Sequence, residues 1–138
     1  MFENPPPQER CALLERVKNI AVVGLSPNPS RPSHGVAAAM QGYGYTIIPV
    51  RPAVKEVLGC KAYARLADVD VKIDLVDVFR RSEFVSGIVD ECIALGTKAL
   101  WLQDGVIDEA AAERARAAGM FVVMDRCIYR DYKNECSR

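Results

Sequence analysis

Five short apolar runs are spaced along the chain, and each is too continuous to leave one face in water. They read NIAVVG, YTIIPV, KIDLVDVF, KALWLQ and MFVVMD. Runs of this length are typical of parallel strands that are covered on both faces. The sequence therefore predicts five buried, mainly parallel strands.

Helical patterns lie between most of these runs. Capping residues, glycine stops and apolar spacing predict helices over 8–18, 32–42, 82–96 and 108–119. The interval 52–72 differs, because KEVLG and YARLADV predict only short helical turns separated by a glycine. Alternating strands and helices predict an α/β fold, a Rossmann-like doubly wound sheet with strand order 3-2-1-4-5 flanked by helices.

One domain is expected over 1–138, with the N-terminal segment 1–18 packed on it as a helix. The 18 basic and 18 acidic residues cancel, and no run of like charge stands out, so neither a nucleic acid nor a membrane surface is predicted as a partner. No protein partner is indicated. The start, MFENPPPQER, lacks a leader pattern, which favours a cytoplasmic location.

The five cysteines form no C-x-x-C pair, so neither a disulfide framework nor a zinc site is predicted. Buried or free thiols are expected instead. Cys127 follows the fifth strand beside Arg126, and a buried, inert thiol is its favoured interpretation. His34 is the single histidine and no triad is recognisable, so no catalytic residue is predicted.

The loop after the first strand, GLSPNPSRPSHG, is the most informative segment. Ligands of open α/β sheets bind beyond the carboxyl ends of the strands, where a helix N-terminus attracts anions. Arg31, Ser33 and His34 stand at that terminus, beside the place where a pyrophosphate would lie. A phosphate-binding loop is favoured over the alternative of a capped helix with an exposed turn.

The dinucleotide fingerprint G-x-G-x-x-G is absent, since only Gly24 stands at its expected place. The second strand ends in Val50, Arg51 and Pro52, where an NAD-binding protein would have an acid for the ribose hydroxyl. An arginine there prefers a phosphorylated ribose. NADP and coenzyme A both present one, and the residues alone leave the two open.

Later loops add further candidates. The third strand ends in Phe79, Arg80 and Arg81, which can pack on a ligand and contact phosphate. The fourth ends in Gln103 and Asp104.

The segments VVGLSPNPSRPSHGVA, GYTIIPVRP, VLGCKAY, IDLVDVFRRSE, GTKALWLQDGV and FVVMDRCI together resemble the small bacterial CoA-binding proteins of the YccU-like type. That family is related to the nucleotide-binding domain of the succinyl-CoA synthetase α subunit. The resemblance implies coenzyme A as the ligand. It implies that phosphates contact the first loop through Gly24, Ser26, Pro27, Asn28, Arg31, Pro32 and Ser33. It further implies that Val50, Arg51 and Pro52 border the adenosine and that Phe79 and Arg80 close the pocket.

The expected function is therefore the binding of coenzyme A or acyl-CoA by a stand-alone domain, without turnover. Two departures from the family pattern concern contacts: Arg51 replaces a commoner asparagine, and Asp104 places a negative charge where an apolar residue is usual. One alternative is an NADP-dependent oxidoreductase. Another is a thiol-regulatory protein in which Cys60 or Cys127 forms a mixed disulfide with coenzyme A.

Overall fold

A computed structural model describes residues 1–136, and its centre is a parallel sheet built from the five apolar runs. The sheet strands are β1 (Asn19–Val23), β2 (Thr46–Val50), β5 (Leu75–Val78), β6 (Ala99–Leu102) and β7 (Phe121–Val123). All four neighbouring pairs run parallel. The prediction of a buried parallel sheet is confirmed.

Helices cover both faces of this sheet. They are α1 (Pro7–Arg16), α2 (Pro32–Gly42), α3 (Val85–Leu95), α4 (Glu109–Ala117) and the short α5 (Ile128–Asp131). The apolar side chains of α3 and α4 join one core cluster, whereas those of α1, α2 and α5 join the other. The chain is therefore an α/β Rossmann-like fold, and the sequence-based prediction lacked α5 and the π-helical segment Tyr132–Cys136 that follows it.

The strand order is β2-β1-β5-β6-β7. The prediction placed the third apolar run, which becomes β5, beyond β2, and this placement is wrong because β5 pairs with β1. The place beyond β2 is held by a single parallel bridge between Val50 and Tyr63. The 3-2-1-4-5 pattern is thus present, but the place of its strand 3, beside β2, is reduced to this one bridge. The crossovers diverge to the two faces of the sheet at β1.

The connection between β2 and β5 explains this difference. Where KEVLG predicted a helical turn, the chain forms a hairpin of β3 (Glu56–Val57) and β4 (Cys60–Lys61). Leu58 and Gly59 both have positive φ, 55° and 74°, as a tight hairpin turn requires. The predicted second turn is confirmed as a 3₁₀ turn at Leu66–Asp68. Without a crossover helix, this segment contributes one bridge instead of a strand.

Helix α1 meets the segment Tyr132–Cys136 on one face of the sheet. Cys11 and Cys136 form a disulfide with 5.4 Å between their Cα atoms, so the expectation that the cysteines remain unpaired is wrong for these two. Their separation of 125 residues gave no spacing signal. Beside the disulfide, the buried Arg10 pairs with Asp131 at 3.3 Å. Within residues 1–136, no helix has the length and apolarity that crossing a membrane requires.

Candidate functional site

A cleft of about 920 Å³ opens at the carboxyl edge of the sheet, around the end of β1. This is where strand crossovers diverge and where ligands of such folds bind. Each strand contributes the residues that follow it, so the cleft collects side chains from five separate loops. Its lining comprises Gly24, Ser26, Arg31, Pro32, Ser33, Val36, Arg51, Phe79, Arg80, Arg81, Phe84, Gln103, Asp104, Gly105, Val106 and Cys127.

Gly24 lies at the end of β1, where two chain segments approach each other closely. Its N–H donates to the Val50 carbonyl at 2.9 Å, and its φ is 86°. A Cβ at this position would stand 2.6 Å from the Phe79 carbonyl oxygen and 2.9 Å from Cδ of Arg80. Both the backbone conformation and the lack of space therefore require glycine.

The loop that follows is held in shape by its own side chains. Ser33 Oγ accepts a hydrogen bond from the Ser26 N–H at 3.0 Å, and Ser26 Oγ accepts one from the Asn28 N–H at 3.1 Å. Asn28 Oδ1 in turn accepts from the Ser30 N–H at 3.0 Å. Each serine hydroxyl keeps its own proton for a further bond. The two serines fold the loop and present donors to the cleft.

Helix α2 begins immediately after this loop, with Pro32 as its first residue. Proline suits this place because the first turn of a helix leaves its N–H groups unpaired. The first turn, PSHG, carries no acid in the sequence. The N–H groups of His34 and Gly35 both donate to the Arg31 carbonyl, at 3.1 and 3.4 Å, so the amino end of α2 offers an anion the Ser33 N–H and a partial positive charge.

Guanidinium groups dominate the charge of the cleft. Arg31 precedes α2, Arg51 follows β2, and Arg80 and Arg81 follow β5. Arg51 Nη1 donates to the Gly24 carbonyl at 3.4 Å, which places it over the end of β1. Arg80 lies 4.1 Å above the ring of Phe84, a cation–π contact that keeps its charge at the cleft wall. Several phosphate oxygens would find partners here.

The carboxylate of Asp104 in the lining is neutralised by an ion pair. Arg130 donates to its two oxygens at 2.8 and 2.9 Å, and these hydrogen bonds hold the pKa of Asp104 below its ordinary value. From the sequence, the negative charge of Asp104 was noted as a departure from the family pattern. Arg130 lies in α5, a helix that the sequence did not predict, so its compensating charge was missed.

The structure brings most of the predicted site residues into one cleft. Those that line it are Gly24, Ser26, Arg31, Pro32, Ser33, Arg51, Phe79, Arg80 and Gln103. Those outside the lining are Pro27, Asn28, His34, Val50 and Pro52. Of these, Asn28 braces the loop, and Val50 is buried with its carbonyl bound to Gly24. Ligand contact remains a prediction for all of them.

Some lining residues were not assigned to the site from the sequence. Phe84 belongs to the 3₁₀ turn Ser82–Phe84 after β5 and is 42% exposed. Val106 follows β6, and Cys127 follows β7, where a buried thiol was expected. The available signal was general: every residue shortly after a strand is a candidate in this fold.

Comparison with known proteins matches the chain to one family. The family described as "CoA binding domain" matches residues 18–133, which include β1, the loop after β1 and every other cleft-lining loop. The chain belongs to this family. The sequence-based resemblance is thereby confirmed at the level of the CoA binding domain.

Individual relatives agree with the family assignment. The uncharacterized protein YneT of Bacillus subtilis is 45% identical over 127 residues, which cover 92% of this chain and 94% of YneT. A solved structure of a hypothetical protein from Pyrococcus horikoshii superposes with a TM-score of 0.90 at 33% identity, covering 98% and 99% of the two chains. The Pyrococcus structure thus shares the overall architecture of this chain.

Larger enzymes contain a related segment. The α subunit of the ADP-forming acetate–CoA ligase II of Pyrococcus furiosus is 28% identical over 122 residues. The match spans 80% of this chain and 27% of the ligase subunit. The CoA binding domain is therefore found both in short chains and within acyl-CoA synthetase-like proteins.

Proposed function

We propose that this chain binds coenzyme A or acyl-CoA in the cleft, as a stand-alone domain and without chemical turnover. The observation that carries the proposal is the convergence of Arg31, Arg51, Arg80 and Arg81 on one cleft together with the amino end of α2. Coenzyme A carries a pyrophosphate and a ribose phosphate. NADP carries the same two groups, and the match to the CoA binding domain family favours coenzyme A over it.

The order of strands supports an elongated orientation of the ligand. Along the carboxyl edge, Arg51 after β2 comes first, then the loop after β1, then Arg80 and Arg81 after β5. Neighbouring strands lie about 4.8 Å apart, so these cations spread over roughly 10 Å. The phosphorylated ribose is proposed to contact Arg51, and the pyrophosphate the amino end of α2.

The proposed lack of turnover rests on what the cleft contains. The single histidine, His34, lies in the first turn of α2 but outside the cleft lining. The acetate–CoA ligase named above is several times longer than the matched segment. The match covers only 27% of that subunit, so the proposal takes over ligand binding and none of the ligase chemistry.

Replacing Arg51 by alanine tests the proposed phosphate contact. Charge-assisted hydrogen bonds contribute about 1.5–3 kcal/mol, so Arg51→Ala is expected to weaken coenzyme A binding roughly tenfold to a hundredfold. Dephospho-CoA, which lacks the ribose phosphate, should lose less than about threefold. Isothermal titration calorimetry of both ligands measures the difference. Arg65→Ala, which removes an exposed arginine paired with Asp68, is the matched control.

Equal losses for the two ligands would reject the ribose-phosphate role of Arg51. NADP titrated into the unmodified protein is the competing ligand. Coenzyme A must bind more tightly than NADP if the proposal is correct. Tighter NADP binding would instead favour an oxidoreductase, and weak, equal responses to all three ligands would refute the proposed function.

A further inference from the structure

Three cysteines outside the disulfide occupy different surroundings. Cys60 lies in the β3–β4 hairpin, where its sulfur accepts from Gln41 Nε2 at 3.4 Å. Cys92 lies on the buried face of α3, and burial raises the pKa of its thiol to about 12. Among these thiols of the described chain, only Cys127 lines the cleft. The Cys127 residue is 8% exposed and lines the candidate site.

Cys127 lies at the far end of the cleft from Arg51. It follows β7, whereas Arg51 follows β2, and three strands stand between them in the sheet. Four strand spacings of about 4.8 Å separate the two positions by roughly 19 Å along the edge. A ligand with phosphates at the arginine end and a long uncharged arm would extend towards Cys127.

Gln103 gives an independent indication of a ligand at this end. Its side chain lines the cleft and is only 3% exposed. Its Oε1 accepts the N–H of Ile128 at 3.0 Å, which fixes the orientation of the amide next to Cys127. Its Nε2 has no hydrogen-bond partner within residues 1–136. This atom is not among the side-chain atoms that are both closed off from solvent and unpaired, so it opens to the cleft and can donate to a ligand carbonyl.

The pantetheine arm of coenzyme A carries amide carbonyls and ends in a thiol. The cleft-lining amide donor of Gln103 and the thiol of Cys127 therefore match two features of the same ligand segment. This match depends on the proposed function, since it takes the phosphates of the ligand to lie at the arginines.

We propose that Cys127 captures coenzyme A covalently by exchange with coenzyme A disulfide. The Cys127 thiol loses its proton to solvent, and the thiolate attacks one sulfur of the bound disulfide. A new bond joins Cys127 to one coenzyme A, the original S–S bond breaks, and the second coenzyme A leaves as a thiolate that takes up a proton. Binding raises the local concentration of the disulfide, which accelerates the step. A second coenzyme A thiol reverses it.

Intact-protein mass spectrometry without reductant tests this inference. After incubation with coenzyme A disulfide, the unmodified protein should gain one coenzyme A less two hydrogen atoms, and dithiothreitol should remove it. Peptide mapping should place the adduct on Cys127. Cys127→Ser should form no adduct, whereas Cys60→Ser should react at the rate of the unmodified protein. Circular dichroism verifies that both variants are folded.

Two further arms separate cleft-directed exchange from general thiol reactivity. Glutathione disulfide, which lacks the nucleotide, should react at least about tenfold more slowly at equal concentration. Adenosine 3′,5′-bisphosphate, which lacks the pantetheine arm, should slow the reaction with coenzyme A disulfide. An adduct on Cys60, or a rate that neither arm changes, would overturn the inference.

Calorimetry with reduced coenzyme A distinguishes the two levels of proposal. If the unmodified protein binds reduced coenzyme A but forms no adduct with the disulfide, the covalent capture is wrong and the binding function stands. If it binds neither the reduced nor the oxidised form, the proposed function itself fails.

Discussion

Gly24→Ala is expected to destabilise the protein by about 2–4 kcal/mol and to weaken coenzyme A binding by at least roughly tenfold. The new Cβ would stand 2.6 Å from the Phe79 carbonyl oxygen, a backbone atom that cannot move without shifting the end of β5. The φ of 86° adds strain for any residue other than glycine. Both effects distort the floor of the cleft.

Gly119→Ala is the matched control for Gly24→Ala. Gly119 has a similar φ of 98°, but an added Cβ there meets nothing within 4 Å, and the residue lies outside the cleft lining. It should therefore show only the backbone strain, about 1 kcal/mol, with coenzyme A affinity retained. Urea unfolding and calorimetry measure both quantities. If the two variants behaved alike, the close approach at Gly24 would not shape the site.

Asp77→Asn is expected to remove much of the decline in stability that occurs as the pH rises above the unfolded-state pKa of an aspartate, about 3.9. Asp77 lies in the middle of β5, opposite Val22 and Trp101, and is 2% exposed. Its Oδ1 has no hydrogen-bond partner within residues 1–136. Burial raises the pKa of its carboxyl well above the ordinary value.

The sign follows from proton binding. Because the pKa of the Asp77 carboxyl is higher in the folded state, the folded state binds its proton more tightly than the unfolded state does. The resulting contribution to the free energy of unfolding is complete below the unfolded-state pKa and is lost as the pH rises towards the folded-state pKa. The slope for one such group is about 1.4 kcal/mol per pH unit. Urea unfolding at several pH values should give this decline for the unmodified protein and for the surface control Asp68→Asn. An equally steep decline in Asp77→Asn would show that Asp77 is not its source.

Much of the fold follows from local sequence signals. Apolar runs identify all five sheet strands because each is buried on both faces, and Asp108 caps α4 by accepting the Ala111 N–H at 3.0 Å. The segment KEVLG misleads because its helix-forming residues are overruled by the turn at Leu58 and Gly59. The Cys11–Cys136 disulfide joins two segments that are 125 residues apart in sequence and meet only in the folded chain.

Some parts of the candidate site could likewise be predicted from the sequence, and others could not. The loop from Gly24 to Ser33 is recognisable because glycine, serine and the helix start are adjacent in sequence. The ion pair between Arg130 and Asp104 is not recognisable from the sequence, because it joins α5 to the end of β6 across the fold. The place of Cys127 beside Gln103 likewise depends on which strands are neighbours.

A crystal structure of the protein with coenzyme A tests the central claim most directly. The account predicts the pyrophosphate at the amino end of α2, with the ribose phosphate within hydrogen-bond distance of Arg51. The pantetheine arm should extend past Gln103 towards Cys127. Coenzyme A bound at another surface, or bound in this cleft with its thiol at the Arg51 end, would contradict the account.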